Sequence, residues 1–139
     1  MTQKRAVELR LPGITTITGE SFASTAEKLM SDYMGQRKGS RDSNKLTTTK
    51  LRSIYSLVTN IYVQVNTPEE YEQHRPDIQY LKVRMAYEAG REPSVKAFLE
   101  KTHLMKLVDA IESFEQFRLY CRYAESLVAY FKFFGGKDR

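Results

Sequence analysis

Two histidines and one cysteine are all that this 139-residue chain offers as nitrogen and sulfur ligands. A zinc site needs three or four convergent donors. His74 follows an acidic stretch and His103 falls at a helix junction, and neither belongs to a ligand-spaced set, so both read as surface or capping residues. Cys121 sits in the apolar arc of a helical pattern and reads as a small buried hydrophobe. A lone cysteine also excludes an internal disulfide. Glu69, Glu70 and Glu72 read as a solvated link or helix start rather than a metal clamp. No phosphate-binding glycine loop, nucleophile elbow or HExxH motif occurs. Nine tyrosines raise the question of base stacking. However, Tyr55, Tyr62, Tyr80, Tyr87 and Tyr120 fall on packing stripes and are expected in the core. The expectation is a binding protein, neither an enzyme nor a cofactor carrier.

Basic residues are the remaining candidates. Twenty-two Lys and Arg against seventeen Asp and Glu give a net charge of +5, which favours an anionic partner, nucleic acid first. Between positions 36 and 52 stand Arg37, Lys38, Arg41, Lys45, Lys50 and Arg52 against a single acid, Asp42. Residues 35–44 are polar and Gly/Ser-containing, either a solvated connector or a loop that folds onto a phosphate backbone. Lys50 and Arg52 open the next helix, whose N-terminal dipole also favours phosphate. Arg118 and Arg122 have Glu115 and Glu125 three residues away, so local ion pairs are expected there.

The elements that must position these side chains are helical. Residues 1–20, with Pro12, Gly13 and Gly19, show no sustained period and are expected to form an irregular arm. Phe22, Ala26, Leu29, Met30 and Tyr33 mark a short amphipathic helix. Leu51, Ile54, Tyr55, Val58, Ile61, Tyr62 and Val65 make one apolar stripe behind the capping hydroxyls of Thr47–Thr49. The next helix, from about Pro76 to a stop at Gly90, is apolar on two sides: Ile78, Leu81, Met85 and Ala89 on one, Tyr80, Val83 and Tyr87 on the other. That pattern predicts a helix buried between neighbours, with Lys82, Arg84 and the following Arg91 emerging around it. A shorter helix through Val95, Phe98 and Leu99, an apolar segment from Leu104 to Ile111, and a long helix from Phe114 to Phe134 closed by Gly135-Gly136 complete the chain. The predicted class is all-α: an arm at 1–20, a single-domain bundle of five to six helices at 21–136, and a tail at 137–139. No apolar run approaches the ~18–20 residues of a membrane span, and no signal-peptide pattern opens the chain. A cytoplasmic protein is expected.

Three segments together resemble a known family. They are Leu46-Thr47-Thr48-Thr49-Lys50-Leu51-Arg52, the block from Tyr80 to Arg91 with Val95 to Leu99, and the ending from Phe117 to Lys132. Their order and spacing resemble the helical small subunit of the type III-A CRISPR effector complex, the Csm family, over about residues 46–136. The resemblance implies a non-catalytic subunit whose copies stack as a filament beside crRNA-bearing backbone subunits and line the guide–target RNA channel. Cleavage would then belong to the backbone and large subunits. Phosphate contacts are expected from Arg41, Lys45, Lys50, Arg52, Lys82, Arg84, Arg91 and Lys132 as one strip along the target strand, with Lys132 at its margin. The basic cluster lacks acidic partners in sequence, and Lys50, Arg52, Lys82, Arg84 and Arg91 fall inside the segments that carry the resemblance. The competing expectation from composition alone is a helical protein–protein adaptor with an incidental basic surface.

Overall fold

A computed structural model describes residues 7–37 and 45–137 of the chain. The helical expectation holds, with six α-helices and one 3-10 segment: α1 (Phe22–Arg37), α2 (Thr48–Tyr62), α3 (Pro68–Gln73), α4 (Arg75–Arg91), α5 (Pro93–Thr102), the 3-10 segment (Lys106–Ala110) and α6 (Phe114–Phe133). The described part of the N-terminal arm is ordered. Glu8–Leu11 (β1) and Thr15–Thr18 (β2) form an antiparallel hairpin in the register Leu9↔Ile17. Pro12 fixes the first turn position and Gly13 takes φ +75° at the second, with the Ile14 N–H on the Leu11 carbonyl at 3.0 Å. Leu9 and Ile17 face each other, fully buried. Each four-residue strand buries a single side chain, too short a run for an alternating period to register.

Around these elements the core organises on α6. Phe117, Tyr120, Tyr123, Leu127 and Phe131 are fully buried along it, and α1, α2, α3, the hairpin and the 3-10 segment all pack against it. Its start is a reciprocal cap: Ser113 Oγ accepts from Gln116 N–H while Gln116 Oε1 accepts from Glu112 N–H at 2.7 Å. The same Gln116 amide donates to the Glu8 carbonyl, tying the hairpin to α6. The expected stop is equally specific. Gly135 at φ +101° and Gly136 close a double C-cap onto the Lys132 and Phe131 carbonyls, and a Cβ on Gly136 would collide with the Phe131 ring.

Of the two readings open for the acidic stretch, link or helix start, the structure shows the second, and one boundary, at Gly90, differs from expectation. The acidic stretch is helix α3, because Thr67 Oγ1 caps the Glu70 N–H and Glu70 Oε1 accepts from Asn66 N–H. Gly90 lies inside α4, which ends where Glu92 turns extended ahead of Pro93.

The larger correction concerns α4 itself. Ile78, Leu81 and Met85 are buried, but Tyr80, Val83 and Tyr87 are 56, 56 and 62% exposed. The helix is apolar on two faces and covered on one. Tyr62, also expected in the core, is 38% exposed at the end of α2.

At the junction of α5 and the 3-10 segment, His103 turns left-handed at φ +60°. The fully buried Tyr123 hydroxyl donates to the Thr102 carbonyl and the Tyr120 hydroxyl to the Leu104 carbonyl, each at 2.8 Å.

Burial on a single face of α4 predicts an asymmetric mutational response in chemical denaturation. Leu81→Ala or Met85→Ala should cost about 2–5 kcal/mol through cavity formation, whereas Tyr80→Ala and Tyr87→Ala should stay within about 0.5 kcal/mol. Tyr120→Phe and Tyr123→Phe, which keep shape but strand a buried carbonyl, should each cost about 1–3 kcal/mol. Tyr130→Phe, with no hydroxyl partner among the described residues, is the neutral control.

Candidate nucleic-acid interface

Helix α2 begins, α4 ends, α5 begins and α6 ends at one end of the bundle. Two contacts between elements fix this convergence, and a third closes the end of α6. Lys50 Nζ on the first turn of α2 pairs with Glu92 at 3.2 Å, in the α4–α5 joint. The Thr48 N–H donates to the Lys137 carbonyl at 2.8 Å, bringing in the chain beyond α6. Lys132 Nζ donates to the Gly136 carbonyl at 3.2 Å. Lys45, Lys50, Arg91 and Lys132 therefore cluster at this end, although they come from three separate stretches of sequence. Arg41 lies outside the described residues.

These cations differ in how far they are already neutralised. Arg52 is exposed and makes no ion pair among the described residues. Lys50 has Glu92, so the expectation that this cluster lacks acidic partners fails there. The acid stands 42 positions away in sequence, beyond any local pattern. Arg91 lies 3.6 Å from Glu88 and places its guanidinium 5.6 Å from the Tyr87 ring centroid, an arrangement that keeps the charge at the surface. An exposed pair of this kind is worth at most about 1 kcal/mol and is readily exchanged for a phosphate. The α2 N-terminus contributes less than its dipole suggests. Its Thr48 N–H is taken by Lys137 and its Lys50 N–H by Thr47 Oγ1.

On α4, two residues of sequence separate Lys82 from Arg84, which places them about 160° apart around the axis. Lys82 reaches Asp109 on the 3-10 segment. Arg84 is exposed on the other flank and makes no ion pair among the described residues. It shares the outward face with Tyr80, Val83, Tyr87 and Arg91, so the face toward solvent carries aromatic rings and guanidinium groups together. The sequence pattern marks that second apolar face, but periodicity alone assigns it to the core.

At the start of α6, beside the hairpin, Arg118 and Arg122 do not form the expected pairs with Glu115 and Glu125. The Arg118 guanidinium lies 5.6 Å from the Phe114 ring centroid, and both arginines line a cleft of about 480 Å³ with Glu20 and Glu115. Charge there is locally mixed. The nucleophile and ligand types are spoken for. Burial pushes the Cys121 thiol far up and out of its reactive range, burial and then Lys106 push His103 down, and His74 Nδ1 lies 2.9 Å from Asp77. Among the described residues no three His, Cys, Asp or Glu side chains gather as a metal would require, and no helix is long and apolar enough to cross a membrane.

Comparison with known proteins bears directly on this chain. Residues 24–137 match the family model described as Csm2 Type III-A. That span extends from α1 to the C-terminal cap, beyond the three segments that carry the resemblance in the sequence. Among curated relatives, the "CRISPR system Cms protein Csm2" of Streptococcus thermophilus is 36% identical over 122 residues, covering 88% of this chain and 98% of its own. The protein of the same name from Enterococcus italicus is 44% identical over 97 residues, 66% of this chain and 69% of its own. The one from Mycobacterium tuberculosis is 33% identical over 121 residues, 80% of this chain and 98% of its own. With most of its length aligned to both the family model and these relatives, the chain belongs to the Csm2 family of type III-A CRISPR systems.

Proposed function

We propose that the chain is the non-catalytic small subunit of a type III-A CRISPR interference complex, acting in the cytoplasm in antiviral defence. Its partners are crRNA and target RNA, the backbone and large subunits of the complex, and further copies of itself in a filament. It lines the crRNA–target RNA channel by phosphate-backbone contacts. The observation that carries this reading is the family match across residues 24–137. The convergence of cations at one end of the bundle agrees with it. Within the proposed set, Arg52 and Arg84 make no ion pair among the described residues. Lys50 and Arg91 are held near the surface by exchangeable partners. Lys45 and Lys132 extend the same end, and Arg41 joins the set by its place in the basic stretch of the sequence. Lys82 is the weakest member because Asp109 already balances it. Contacts of this kind carry no sequence information, as suits a complex that reads sequence through its guide. The outward face of α4 is what a protein–protein adaptor would also display, and the two readings separate by salt dependence.

Fluorescence anisotropy of labelled single-stranded RNA against the full chain tests the reading. Affinity should fall with salt at a slope near −0.7 per neutralised phosphate. Lys50→Ala with Arg52→Ala should weaken binding equally for unrelated sequences and flatten that slope by up to about 0.7 for each cation removed, while folding changes by less than about 1 kcal/mol. Lys82→Ala should do less than either. Arg118→Ala with Arg122→Ala, on the face of mixed charge, should also do less, and a larger effect there would place the RNA on the hairpin side instead. A salt-independent profile would favour the adaptor.

A further inference from the structure

Helices α2 and α4 run antiparallel, since Lys50 at the start of α2 meets Glu92 beyond the end of α4. Their other halves leave a cleft of about 360 Å³ between them, at the lower end of the ~300–1,000 Å³ typical of small-ligand sites. Leu57 and Ile61 supply apolar floor from α2, Asn60 presents its side-chain amide, and Tyr80 and Arg84 of α4 form the facing wall. Gln64 presents its side-chain carbonyl while its Nε2 donates to the Asn60 carbonyl at 2.8 Å. Three of these groups lack partners among the described residues. The Tyr80 ring is 56% exposed and makes no ring–ring or cation–π contact there, unlike Tyr87, which is covered by Arg91. The Asn60 side chain makes no hydrogen bond and Arg84 no ion pair within the same set. An aromatic face, a free amide and a free guanidinium around an apolar floor match the parts of one nucleotide. The ring provides a stacking surface, the amide a partner for the base edge, and the guanidinium a bidentate donor to phosphate.

We propose that this cleft takes a single unpaired nucleobase stacked on Tyr80, with its edge toward Asn60 and Gln64 and its phosphate on Arg84. Asp77 also borders the cleft, seven residues before Arg84 and so about 10 Å along the helix. Its carboxylate would repel a phosphate at that end, so the backbone leaves toward Arg84, Arg91 and the cationic end of the bundle. The proposal rests on the RNA-binding reading but adds a contact to a base, which phosphate binding alone does not require.

A ribose-phosphate decamer carrying one central 2-aminopurine, compared with the fully abasic decamer, tests it on the full chain. The two probes have the same phosphates. The 2-aminopurine probe should bind about five-fold tighter or more and lose fluorescence on binding. Tyr80→Ala should abolish both effects without changing the salt slope, and Tyr80→Phe should restore them. Equal binding of the two probes with no quenching overturns the base site while leaving the phosphate reading intact, provided Lys50→Ala with Arg52→Ala still weakens both. Failure of both probes to bind overturns both readings. If Tyr80→Ala leaves the probes unaffected yet keeps the chain out of a reconstituted complex, the cleft is a protein contact and the base site is overturned.

Discussion

Two buried hydroxyls hold the layout together. Tyr120 and Tyr123 lie at the centre of α6, fully inaccessible, and donate to the carbonyls of Leu104 and Thr102 on either side of the left-handed His103. A sharp bend inside a core strands backbone carbonyls that water cannot reach, and each would cost about 1–3 kcal/mol unpaired. Burial raises both phenol pKa values well above their ordinary range, which extends the donor form of these hydroxyls further into alkaline conditions. The bend in turn directs the 3-10 segment under α4, where Asp109 meets Lys82, and seats Leu107 and Val108 in the core at full burial. The contact of α4 with the 3-10 segment thus depends on a bend whose carbonyls are satisfied by two hydroxyls on α6.

That dependence explains which features the sequence exposed. The stripes of α2 and α6 are periodic over four or five turns, and their caps at Thr47, Ser113 and Gly135-Gly136 are local, so both helices were legible from residue order alone. The hairpin was not, since each four-residue strand buries one side chain. The short α3 was hidden by its acids, although Glu69 and Glu70 suit a helix N-terminus. For α4 the two apolar faces are real, but the burial they imply is only half present. Apolar periodicity reports that a face would gain from being covered. It does not report whether the covering surface belongs to the same chain.

The candidate site was legible in residue type and illegible in pairing. Lys50, Arg52, Lys82, Arg84 and Arg91 all stand out as cations in the sequence, but which of them retain their charge for a ligand depends on Glu92, Asp109 and Glu88. Of these three acids, Glu88 alone is close in sequence to its partner. Tertiary folding therefore sorts cations that composition treats as equivalent, while helix periodicity alone separates Lys82 from Arg84 despite their proximity in the chain.

The division of α4 into a covered and an uncovered face also separates stability from recognition. Ile78, Leu81 and Met85 anchor the helix through their burial, so the outward Tyr80, Val83, Arg84, Tyr87 and Arg91 carry little of the folding energy and can be matched to a partner instead. In the proposed base site, the stacking on Tyr80 and the phosphate contact of Arg84 share one property that fits the family assignment. Every base has a π-face and every nucleotide a phosphate, so neither contact discriminates sequence. Under the proposed function, a subunit working through such contacts would add affinity along any target that the guide had already selected, and its surface would not need to change with the guide.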